Sequence, residues 1–100
     1  MPTATLGPNR FIALQYGLPK EGLVTLDLES DIPVKTYIIR PKALEFYRQG
    51  KKNFVYYGGY PDPRKHQHQR IYLPFSGPWY LIISNPDKNS GADVQYEVSY

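Results

Sequence analysis

Residues 74–100 constrain the fold more than any other part of this chain. Pro74-Phe75-Ser76-Gly77-Pro78-Trp79 turns a corner into Tyr80-Leu81-Ile82-Ile83-Ser84-Asn85, and a polar turn then leads to Ala92-Asp93-Val94-Gln95-Tyr96-Glu97-Val98-Ser99-Tyr100. Val94, Tyr96, Val98 and Tyr100 alternate with Gln95, Glu97 and Ser99, the period of a strand with one wet face. Trp79, Leu81 and Ile83 share one side of the preceding strand. The only tryptophan is therefore expected in the core, and the two strands can cover it.

The same period marks other strands. Phe11–Tyr16 is apolar and ends at Gly17-Leu18-Pro19. Val24, Leu26 and Leu28 alternate with Thr25, Asp27 and Glu29. Ser30-Asp31-Ile32-Pro33 has turn composition, and the β-branched stretch Val34–Arg40 follows it. Asn53–Tyr57 and Arg70–Pro74 complete the set. Between them the period changes: Pro41 suits the first position of a helix, and Gly50 suits its end. The pattern predicts one short helix over 41–50, with Leu44 and Tyr47 on one face, lying across an open end of the sheet layers. Seven to eight short strands at near-regular spacing predict an all-β fold, an antiparallel two-sheet β-sandwich. One hundred residues, with ten prolines and eight glycines, suit a single domain spanning 1–100, rich in turns.

Without cysteine the chain has neither disulfides nor thiolate metal sites, which fits a cytoplasmic setting. The start, Met1-Pro2-Thr3-Ala4-Thr5-Leu6-Gly7, lacks the pattern of a signal peptide, and no apolar run is long enough to span a membrane.

Several motifs make this chain similar to a family of small bacterial β-sandwiches. They are Tyr37 to Ile39, the helix Leu44-Glu45-Phe46-Tyr47-Arg48-Gln49-Gly50-Lys51, Tyr56-Tyr57-Gly58-Gly59, and Leu73-Pro74-x-Ser76-Gly77-x-Trp79-Tyr80. Together they resemble a bacterial domain of unknown function related in shape to pre-peptidase C-terminal and GOLD domains. The resemblance covers the chain from about Thr25 onward and implies a jelly-roll or GOLD-like accessory domain without catalysis. It brings no ligand and no site residues with it.

The residues themselves offer little catalysis. None of the serines stands in a Gly-x-Ser-x-Gly elbow. Asp27 and Glu29 are explained by strand alternation, and Tyr57-Gly58-Gly59-Tyr60 lacks the pattern of a phosphate loop. His66 and His68, two apart, would share one face of a strand, but with no third histidine and no cysteine they are read as a solvated loop, with no metal and no cofactor.

Binding is the class that remains. From Lys35 to Arg70 nine basic residues (Lys35, Arg40, Lys42, Arg48, Lys51, Lys52, Arg64, Lys65, Arg70) face only Glu45 and Asp62, while the whole chain carries +3. The expected role is a non-enzymatic module for protein association, with a second copy or another protein as partner. The alternative is an anionic polymer such as single-stranded nucleic acid, or a carbohydrate, held by Lys51, Lys52, Tyr57, Tyr60, Arg64, Lys65, His66, His68 and Arg70. The positive charge is spread rather than massed, which favours association.

Overall fold

The structure, a computed structural model, describes residues 2–51 and 53–100. The order is β1 (Thr3–Leu6), β2 (Phe11–Leu18), β3 (Gly22–Ile39), α1 (Pro41–Arg48), β4 (Arg64–Leu73), β5 (Gly77–Ser84) and β6 (Ala92–Ser99). The fold is mostly β, a curled antiparallel sheet in the order β1-β6-β3-β5-β2, with β4 paired to β3. No described helix is long and apolar enough to cross a membrane.

β3 holds the sheet together. Its first half pairs with β6 on one side and β4 on the other, and its second half pairs with β5. The curl turns one face of every strand inward. Leu6, Leu18, Val24, Leu26, Leu28, Val34, Ile38, Ile71, Leu73, Trp79, Leu81, Ile83 and Val94 meet in one buried cluster. Trp79 is fully buried, as its place on the face of Leu81 and Ile83 predicts. Its ring stacks on Tyr16, directly opposite on β2, at 4.9 Å between centroids.

Six strands are described, rather than seven to eight, and two differences account for this. Residues 30–33 do not reverse the chain. They run on inside β3, and the register with β4 shifts between Glu29 and Val34. Pro33 lies in that gap in the ladder, where its missing N–H costs nothing. Asp31 is also occupied there, because its carboxylate accepts the Asp93 N–H at 2.8 Å. Asn53–Tyr57, expected as a strand, is irregular, and only Gly58 forms an isolated bridge, to Ile38. Conversely, β1 and the first six residues of β4 are strands that the alternation pattern did not mark.

α1 ends two residues short of the expected limit, in a Schellman closure. The Gly50 N–H reaches the Tyr47 carbonyl and the Lys51 N–H the Phe46 carbonyl, with Gly50 at φ +76°. The helix does not plug an open end. It lies on the outer face of β5 and the second half of β3, where Ala43 and Leu44 pack on Ile39 and Ile82. β5 is thereby buried on both faces, which explains its continuous apolar run.

Where β4 leaves the second half of β3, residues 57–60 take its place. Ile38 donates to the Gly58 carbonyl and accepts from the Tyr57 N–H, both at 2.8 Å, and the Thr36 N–H donates to the Tyr60 carbonyl at 3.0 Å. Beneath them is a buried polar network. The Thr36 hydroxyl donates to Gln67 Oε1 at 2.6 Å and accepts the Tyr60 N–H at 2.9 Å, while Gln67 Nε2 donates to the Val34 carbonyl.

Candidate functional site

Strand alternation sorts β4 into two faces. Gln67, Ile71 and Leu73 point inward, and His66, His68, Arg70 and Tyr72 point to solvent. His66 and His68 share one face, but they do so on a strand and not in a solvated loop. Each stands opposite a carboxylate of β3. His66 Nδ1 lies 3.6 Å from Glu29, and His68 Nδ1 contacts Asp27. Glu97 of β6 stands opposite Asp27 in turn. The histidines of β4 thus face a row of acids, which weakens this part of the face as a seat for a polyanion. Among the described residues no three His, Asp or Glu side chains come together in a metal-binding group.

The other residues expected to bind fall into separate places. Tyr60 is a brace: its hydroxyl donates to the His68 carbonyl at 2.6 Å, and the Arg64 guanidinium covers its ring at 5.2 Å. Lys65 is exposed at the start of β4. Lys51 and Tyr57 instead line clefts beside α1, with Lys51 over the Phe46 ring and Tyr57 edge-on to Phe75. Lys52 lies outside the described residues.

Two further features were not marked as sites by sequence pattern. The first is the edge of β2, whose only ladder partner among the described residues is β5. The Asn85 N–H donates to the Arg10 carbonyl at 2.8 Å, in register with the β2–β5 pairing. Antiparallel alternation then turns Ile12, Leu14 and Tyr16 toward β5 and points the N–H and C=O groups of Phe11, Ala13, Gln15 and Gly17 outward. β2 spans eight residues, Phe-Ile-Ala-Leu-Gln-Tyr-Gly-Leu, with neither charge nor proline. The other free edges are guarded: β1 has four residues, and β4 carries Arg64, Lys65, His66, His68 and Arg70.

The second feature is an aromatic cluster on the outer face beside α1. Tyr37 meets Phe54 at 5.3 Å, Tyr56 at 5.4 Å and Tyr47 at 5.8 Å, and Phe11 stands edge-on to Tyr47 at 4.8 Å. Burial raises the Tyr37 and Tyr47 hydroxyls above the usual tyrosine range. For Tyr37 the neighbouring Tyr47, Tyr56 and Asp62 add to that rise, whereas a hydrogen bond with Ser84 partly offsets it for Tyr47. These rings open on a cleft of about 650 Å³ that Arg10, Lys35, Arg48 and Lys51 also line, with no carboxylate in its wall. Four separate stretches of chain build the cluster, so no local motif announces it. The local hints are Arg10-Phe11, Lys35-x-Tyr37 and Tyr47-Arg48, each pairing a ring with a cation.

No protein-family model matches this chain, and no curated protein matches it either.

Proposed function

We propose that this protein is a non-catalytic association module that pairs through the free edge of β2, first of all with the β2 of a second copy. The observation that carries this reading is the unguarded edge, eight uncharged residues whose outward backbone groups have no partner among those described. Two such edges can meet antiparallel about a two-fold axis and continue the sheet across both copies. The resemblance to accessory β-sandwich domains supports the same role. Within it the two limbs of the curled sheet, joined by β3, act as the two layers of a jelly-roll or GOLD-like sandwich. An extended segment of a partner or fused effector would dock in the same way.

Light scattering from about 10 µM to 1 mM tests this. The expected result is a dimer that grows in with concentration and is abolished by Gln15→Pro. Gln15 is exposed and its N–H points away from β5, so the substitution removes an edge donor and no ladder bond. A wild-type monomer across the whole range, with no capture of a peptide copying residues 10–19, would overturn the reading.

A further inference from the structure

The cleft beside α1 combines features that neither the strand edge nor the β4 face has. Its rings are only partly covered: Phe11 keeps 38% and Tyr56 45% of its surface exposed. The strand backbones of β3 and β5 beneath it bond to each other, so side chains alone are left to meet a ligand. Most of the large side chains there are aromatic or cationic, and the cations come from β3 (Lys35), the end of α1 (Arg48), two residues beyond its cap (Lys51) and the entry to β2 (Arg10). On the other side of Phe54 a second cleft of about 950 Å³ continues the theme, with Phe46 and Tyr57 beside Arg40 and Lys42, again without a carboxylate.

We propose that these adjoining clefts bind single-stranded nucleic acid, with bases stacking on Phe11, Phe54 and Tyr56 and phosphates held by Arg10, Lys35, Arg48 and Lys51. Aromatic faces and cations in one groove are the two elements that sequence-tolerant single-strand binding uses. Charge selects the occupant. The β4 face sets its two histidines against Asp27 and Glu29, whereas the wall of this groove carries four cations and no carboxylate. Two clefts meeting at Phe54 also provide room for more than one nucleotide. Of the binding residues that sequence pattern singled out, the site includes only Lys51 and Tyr57, and it meets β2 only at its first residue, Phe11.

Fluorescence anisotropy with a labelled oligothymidylate of about twenty nucleotides tests the proposal. Micromolar binding is expected in low salt, falling with a log–log slope of roughly −3 for four phosphates at about −0.7 each. Arg48→Ala with Lys51→Ala should weaken binding at least tenfold and flatten the slope, and Tyr56→Ala should cost on the order of tenfold. Arg64→Ala with Arg70→Ala, on β4, should leave binding unchanged. Thermal melts of each variant keep loss of fold apart from loss of binding. The proposal is overturned by any of four results: no binding at about 100 µM protein, loss only in the β4 pair, equal affinity for free thymidylate, or equal competition by an acidic polypeptide.

Discussion

The two halves of β3 share one backbone and meet different surroundings. In Gly22–Ser30 the alternation is plain: Val24, Leu26 and Leu28 are buried, Asp27 and Glu29 face outward, and a strand lies on each side. In the second half Val34, Thr36 and Ile38 face the core, while Tyr37 and Ile39 pack under α1. One edge there is held by β5, the other by four residues of irregular chain and a buried Thr–Gln pair. A strand with a wet face advertises itself by its period. A strand covered on both faces depends on pieces that arrive from elsewhere in the chain, and its integrity rests on a few special contacts.

The largest expected effect is on the core that both halves share. Trp79→Ala should destabilise the protein by about 3–5 kcal/mol in denaturant titrations, because the whole ring is buried. A loss under about 1 kcal/mol would mean that the two halves do not lean on a common core. A sharper probe is Gly59→Ala. Gly59 sits at φ +109°, and an added Cβ would stand 2.3 Å from the Thr36 carbonyl oxygen. The cost is expected at roughly 3 kcal/mol. Amide exchange at Thr36 and Ile38 should accelerate before that at Val24–Leu28. Equal acceleration along β3 would remove the distinction between its halves.

The smallest effect is alkaline. Tyr37 and Tyr47 have hydroxyls raised above their unfolded value, first by burial. Their neutral forms therefore favour the fold below about pH 10, and that contribution disappears as pH rises through the folded values. Ultraviolet titration should show a late-ionising tyrosine fraction that shrinks in the Tyr37→Phe, Tyr47→Phe double variant. Packing at 34–39 should loosen over the same range while 24–28 holds. An unchanged late fraction in the double variant would place the buried hydroxyls elsewhere.

Legibility followed the same division. Val24-Leu26-Leu28, Val94-Tyr96-Val98, the Pro41-to-Gly50 frame of α1 and the burial of Trp79 all follow from local pattern, because each element has one wet side or a recognisable end. Ser30-Asp31-Ile32-Pro33 misled because turn residues also suit a bend within a strand, where the ladder is interrupted. Residues 64–69 look too polar for a strand, yet Gln67 is buried there by hydrogen bonds to Thr36 and Val34, partners that no sequence window contains. The basic stretch was visible, but its division was not. Cross-strand register set the histidines against acids and left Arg48 and Lys51 facing aromatic rings. The cluster of Phe11, Tyr37, Tyr47, Phe54 and Tyr56 exists only once the chain has folded.

The pairing order has a consequence for how the chain reaches this state. Of the five described pairings, only β3 with β4 joins strands that follow one another, and α1 and residues 49–63 separate even those. β5 and β6, joined by a polar turn, pair with other strands, and β1 must find β6 across almost the full chain. No tight hairpin is available as a local nucleus, so long loops must close before any ladder forms. Refolding therefore belongs to the slow end of small domains, milliseconds to seconds. During that interval the uncharged β2 segment waits without its β5 partner, which makes dilution and low temperature the natural conditions for recovering the folded chain.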